Sequence, residues 1–269
     1  MWIALMILIL LAAGYLLAIG GRRDHPALPK LRGWKFAHRG LHNENRPENS
    51  MSAFRAALEA GYGIELDVHL LKDGNLAVIH DAALIRTTGQ EGKIEDLTTE
   101  QLKNYPLEGT TETIPEFREV LELFSGKAPM IIELKTQGGN HAALTETACR
   151  MLENYEGAYC MESFDLRCLV WLRKNRPEII RGQLAENFFA AKSKLSPIIK
   201  WILTVHAANF ITRPDFIAYK FADRNRLGTI LCRKLHKLQG VTWTLKTKEE
   251  YDIAVKEGWI PIFEDFNPL

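Results

Sequence analysis

Two histidines and three carboxylates stand where a metal-assisted hydrolase could be built. His38 lies in Phe36-Ala37-His38-Arg39-Gly40 and His80 in Ala77-Val78-Ile79-His80-Asp81. Glu65-Leu66-Asp67 falls between them, and Glu133 ends the apolar run that starts at Met130. A neutral imidazole moves protons near pH 7. Carboxylate oxygens are hard ligands that suit Mg²⁺ or Ca²⁺. Side chains two apart on a strand share a face, so Glu65 and Asp67 point together, as do Glu133 and Lys135. Unpaired carboxylates in a core are costly, and a divalent cation is their natural partner. Glu133, from another strand, would complete a protein ligand set. Arg39 offers a forked donor to an anionic oxygen. Lys135 would hold a phosphate oxygen as a point charge. Trp243, in Val241-Thr242-Trp243-Thr244, would wall the pocket, and Glu264 and Asp265 end the last strand as rim acids. His42, His69, His141, His206 and His236 read as structural.

Short apolar runs must hold these groups. The pattern predicts strands at 35–39, 63–69, 76–80, 129–135, 158–164, 179–184, 216–220, 240–245 and 259–264. It predicts helices at 49–60, 98–104, 115–125, 141–154, 165–175, 222–237 and 247–257. Pro47-Glu48-Asn49-Ser50 supplies a helix start, and Asp165 caps another. Strands alternating with helices imply βαβ units and a parallel sheet. About eight units over residues 34–269 fit a (β/α)₈ TIM barrel better than a doubly wound sheet. The polar stretch at about 82–115 interrupts the alternation and reads as an insertion on the catalytic rim. There is no P-loop, dinucleotide fingerprint or internal repeat.

The chain has 269 residues and a net charge of +1, which argues against a broad nucleic-acid surface. Trp2 to Ile19 carries no charge, and Arg22 and Arg23 follow. This reads as one transmembrane helix over residues 1–20, ahead of a linker at 21–33. A cleaved signal peptide and a buried core helix are the competing readings. The positive flank would place the barrel in the cytoplasm. Cys149, Cys160, Cys168 and Cys232 show no metal-ligand spacing and suit a reducing compartment.

Taken in order, these residues resemble the glycerophosphodiester phosphodiesterase family. The shared stretches are H-R-G at 38–40, P-E-N-S at 47–50, E-L-D at 65–67, K-D-G at 72–74, H-D at 80–81, E-L-K at 133–135 and W-T at 243–244. The resemblance implies a metal-dependent hydrolysis of glycerophosphodiesters to glycerol 3-phosphate and an alcohol. It implies His38 and His80 as the acid–base pair, and Glu65, Asp67 and Glu133 as metal ligands. Arg39 and Lys135 would contact phosphate, and Glu48 would lie near the metal. Two rim segments depart from the family pattern: Leu245-Lys246 after W-T, and the run from Glu264 to Pro268. They bear on substrate choice. The N-terminal membrane helix, which would hold the pocket near lipid, motivates the second expectation, a lysophospholipase D acting on lysophospholipids at the bilayer. A non-catalytic lipid-phosphate binding module is the third.

Overall fold

A computed structural model describes residues 1–192 and 194–268. Helix α1 (Trp2–Ala18) comes first, then β1 (Phe36–His38), α2 (Met51–Glu59), β2 (Gly63–Leu70) and β3 (Leu76–Val78). The insertion holds α3 (Ile85–Thr88) and two 3₁₀ turns, and α4 (Phe117–Phe124) follows. The chain continues through β4 (Met130–Leu134), α5 (His141–Met151), β5 (Tyr159–Ser163), α6 (Leu166–Asn175) and β6 (Arg181–Ala185). Helices α7 (Pro197–Thr204) and α8 (Asn209–Thr212) lead to β7 (Phe216–Lys220). The last elements are α9 (Leu227–Lys234), β8 (Gln239–Leu245), α10 (Lys248–Lys256) and β9 (Trp259–Phe263).

Eight parallel strands close on themselves, because β1 pairs with both β2 and β9. One of the nine predicted strands, β3, is not a stave. It pairs antiparallel with the end of β2, Val68 against Val78, and so carries His80 back over the barrel mouth. Capping side chains start the helices as the sequence predicts: Ser50 Oγ accepts from Ala53 N at 3.2 Å, and Asp165 Oδ1 from Arg167 N at 2.9 Å. Ile64, Leu66 and Val68 are buried with Phe54, Phe117 and Val120 of the surrounding helices. Phe36, Ile131, Ile180, Phe216 and Ile262 fill the interior with Leu28 and Leu31. The segment read as a linker is therefore packed against the barrel. The insertion owns a satellite core around Leu84, Ile94, Leu102 and Ile114. Helices α7 and α8 lie at 185–215, where the sequence pattern assigns no element.

The expected transmembrane helix is corrected. Among the described residues, no helix is long and apolar enough to cross a membrane. The last turn of α1 belongs to the barrel: Ile19 is fully buried with Ile217, Cys232 and Leu238, and Tyr15 and Leu16 pack on them. Tyr15 donates to Val205 O at 3.1 Å, and Asn209 Nδ2 donates to Ile19 O at 2.9 Å. Residues 2–14 remain, roughly 20 Å of helix at about 1.5 Å per residue, against a hydrocarbon core of about 30 Å.

His206, in the turn between α7 and α8, is buried with its Nε2 3.1 Å from Thr229 Oγ1. Burial holds its imidazole down at about 4. The unfolded value is about 6.5, so the folded state resists protonation. This part of stability is full above about pH 6.5 and lost as pH falls toward 4. The shift is worth roughly 3 kcal/mol. His206→Asn tolerates the positive φ of 60° at this position and should flatten the acid limb of stability. Denaturant unfolding at pH 7 and pH 4.5 checks this; an unchanged slope would clear His206 of any role.

Candidate active site

Register builds the site. His38 lies opposite Glu65, Asp67 opposite Glu133, and Glu133 opposite Glu162. Four acids thereby meet near the carboxyl ends of three adjacent strands, where barrel active sites form. Glu65, Asp67 and Glu133 are buried and offer ligand oxygens all within 4.8 Å of one another. One cleft of about 120 Å³ is lined by His38, Arg39, Glu65, His80, Glu133, Lys135, Glu162, Phe164 and Trp243. The structure thus brings together nearly every residue that the sequence singles out.

The histidines are oriented from behind. His38 Nδ1 bonds Glu264, and His80 Nδ1 lies 2.6 Å from Asp81 Oδ1. In each case Nε2 is the nitrogen left for the cleft; that of His38 is 3.8 Å from Glu65 Oε2. Burial lowers both pKa values, that of His80 to about 4, and for His38 the bonded Glu264 works against burial. His69 supports this arrangement, with Nε2 3.1 Å from the His80 carbonyl and Nδ1 2.6 Å from Glu95. That is a structural role, as the sequence suggests.

Two cations sit against the acids. Lys135 Nζ is 2.8 Å from Glu133 and 3.1 Å from Asp67. Burial opposes its charge, but Asp67 and Glu133 outweigh burial and keep the ammonium protonated. Arg39 turns into the site through a left-handed backbone, φ 55°, with its N–H donating to Glu65 O at 2.9 Å. Its Nε lies 3.5 Å from Asp67 Oδ2. The glycine after it follows from space: at Gly40, φ +83°, a Cβ would lie 2.9 Å from Ala53 Cβ. Glu48 accepts from Arg39 at 3.0 Å and from Arg86 of the insertion at 2.6 Å. It therefore fixes Arg39 and ties the insertion to the site.

The acids repel one another. Burial and the charges of Asp67, Glu133 and Glu162 push Glu65 well up, and burial raises Glu133 to about 7 against the pull of Lys135. Burial also raises Asp67, but Lys135, His80 and Arg39 outweigh it and hold this carboxyl far below the usual range. A crowded, buried set of oxygen donors, with Glu65 and Glu133 raised and Asp67 lowered, fits a hard divalent cation.

Sequence reasoning missed Glu162, whose buried Oε2 has no hydrogen-bond partner in the structure. Its signal was available: Cys160-Met161-Glu162 places an acid at the end of an apolar strand, as around Glu133. Asn49 was missed as a contact; its Nδ2 donates to Asp67 Oδ2 at 2.9 Å. Trp243 packs edge-on against Phe164, with ring centroids 5.8 Å apart, and walls the cleft.

Parallel-barrel folding with acids, histidines and phosphate-sized cations at the carboxyl rim defines a class of barrel hydrolases. Residues 38–267 match the glycerophosphoryl diester phosphodiesterase family. A glycerophosphodiester phosphodiesterase of Caldanaerobacter subterraneus subsp. tengcongensis is 30% identical over 86% of this chain and 93% of its own. One of Bacillus altitudinis is 41% identical over 54% of this chain, a match spanning 63% of that relative. A lysophospholipase D of Rattus norvegicus is 34% identical over 45% of this chain and 41% of its own. An Oleispira antarctica phosphodiesterase, solved with the product sn-glycerol-3-phosphate, shares the fold. It has a TM-score of 0.73 and 22% identity, covering 91% of this chain and 96% of that one. The chain belongs to the glycerophosphoryl diester phosphodiesterase family and is an enzyme of that activity.

Proposed function

We propose that this barrel hydrolyses glycerophosphodiesters to glycerol 3-phosphate and an alcohol through a divalent cation and two histidines. One observation carries the proposal: two carboxylate-oriented histidines share a single cleft with Glu65 and Glu133, two of three mutually close acids. Glu65, Asp67 and Glu133 would hold Mg²⁺ or Ca²⁺. Bound there, the cation offsets phosphate charge and orients the substrate oxygens. Arg39 and Lys135 bind the remaining phosphate oxygen. One histidine takes the proton from the nucleophile, the glycerol hydroxyl beside the phosphate. The other enters the step as the imidazolium and gives its proton to the departing alkoxide, so the alcohol leaves neutral. Water then opens the cyclic phosphate, with the histidines in exchanged roles.

A lysophospholipase D is the second reading. The apolar wall of Phe164, Leu184 and Trp243 favours it. The test is a panel of glycerophosphocholine, glycerophosphoethanolamine and lysophosphatidylcholine, each with and without EDTA. Glycerol 3-phosphate release from the first two, abolished by EDTA and restored by Mg²⁺ or Ca²⁺, is the expected result. Turnover of the lysolipid alone would establish the second reading, and turnover that persists in EDTA would end the metal reading. We also place the barrel in the cytoplasm. Four free, buried thiols support a reducing compartment. Export of the natural protein, seen by fractionation, would refute that placement.

A further inference from the structure

Exposed apolar side chains collect on one flank of the barrel. Phe189 follows β6, Ile198 and Trp201 lie on α7, and Leu227 and Ile230 on α9. Ile198 is 71% exposed and Leu227 69%, well beyond the scattered apolar exposure of an ordinary surface. The docked turn of α1 emerges between these helices. Tyr15 Oη bonds the carbonyl that follows α7, and it lies 3.0 Å from where a Cβ of Gly228 would stand.

The direction of α1 follows from those contacts. Its Tyr15 meets the start of α9, and Gly20 meets His236, beyond the end of α9. The two helices therefore run parallel. Barrel helices run opposite to their strands, so the start of α9 lies at the carboxyl end of β7, on the catalytic rim. Residues 2–14 of α1, apolar on all sides and almost wholly exposed, project past that rim. Phe189 is on the same rim, next to Phe188, whose ring packs edge-on against Phe164 of the cleft wall. An apolar path thus joins the active site to the flank.

Charge selects the occupant. Residues 187–214 contain no Asp or Glu, but hold Lys192, Lys194, Lys200 and Arg213. Residues 1–23 likewise contain no acid and end in Arg22 and Arg23. Glu186 and Asp223 at its edge are paired with Lys220 and Arg226, at 3.4 and 3.9 Å, so the unpaired charge around this apolar face is cationic and complements an anionic lipid surface. We propose that this flank, with the free part of α1, docks peripherally on an anionic membrane with the catalytic rim turned toward the lipid. The substrate would then be met at the lipid surface. The docking rests on the surface alone and stands whether or not the metal and histidine roles do.

The test uses the full chain with an environment-sensitive fluorophore on Ile198→Cys, since all four native cysteines are buried. A second protein carries it on Glu122→Cys of α4, which lies on the side of β2, four staves from β7. With phosphatidylcholine–phosphatidylglycerol vesicles, emission at position 198 should at least double and shift to the blue. Position 122 should not respond, and neither should position 198 with pure phosphatidylcholine. In a parallel flotation assay, Ile198→Glu/Trp201→Glu should lower binding to the anionic vesicles at least tenfold. Flotation with a silent label at 198 would overturn the proposal, leaving α1 alone in contact. A response at both positions would also overturn it. So would a response at 198 that follows protein concentration without vesicles, which would make the occupant a second copy. Turnover of soluble glycerophosphocholine, measured on the same samples, reports the catalytic reading separately.

Discussion

Replacing one of the three crowded carboxylates should trade catalysis for stability. Glu65→Gln keeps the shape of the side chain but removes a charge from the proposed ligand set. Loss of groups that merely orient metal ligands costs about 10- to 100-fold in affinity or activity, so loss of a ligand should exceed about 100-fold. The same variant should be more stable than the parent when both are metal-free. Burial and the charges of Asp67, Glu133 and Glu162 already push Glu65 well up, so its ionised form opposes folding. In EDTA at pH 8, the thermal midpoint should rise by roughly 2–4 °C, the effect of about 1 kcal/mol in a domain of this size. In saturating Mg²⁺ or Ca²⁺ the order should reverse, because bound metal stabilises only the parent. Thermal melts with and without metal, beside turnover assays, read both effects. Near-full activity of Glu65→Gln, or equal melting shifts in the two conditions, would sink the triad as a metal site.

The histidines should show the second large effect. His38→Ala and His80→Ala should each lower kcat by about 10² to 10⁴ while metal affinity is retained. The double variant should lose less than the product of the single losses, because the two act on one proton inventory. The lowered pKa of the histidine that acts as base means that the wild-type rate should fall on the acid side as protonation removes the base form. Glu264→Gln should shift that acid limb to lower pH, because the His38 imidazolium loses its anionic partner at Nδ1. Calorimetric metal titration separates metal loss from proton-transfer loss. A rate within threefold of wild type in either single histidine variant would dismiss that residue.

The barrel and much of its site were legible in the sequence because their rules are local. The period of two along a strand put Glu65 with Asp67 and Glu133 with Lys135 on shared faces. Alternation of strand and helix implied a parallel sheet, and all nine predicted strands are present. The 185–215 stretch was not legible, because an apolar helix that faces outward lacks the polar stripe by which surface helices are read. Residues 2–19 misled for a related reason: uniform apolarity signals a span, and only packing shows that Ile19 belongs to the barrel core.

What decided the chemistry was distance between strands. Sequence determined the residue types and the face on which each acid stands. Barrel closure and register determined that acids from β2 and β4 approach within 4.8 Å, with Glu162 of β5 beside them. Closure also brought Glu264, 226 positions away in sequence, onto the ring of His38, while the β2–β3 hairpin swung His80 over the same mouth. Periodicity is a property of one strand, whereas proximity across a barrel is set by strand pairing, so only the tertiary structure could join these groups.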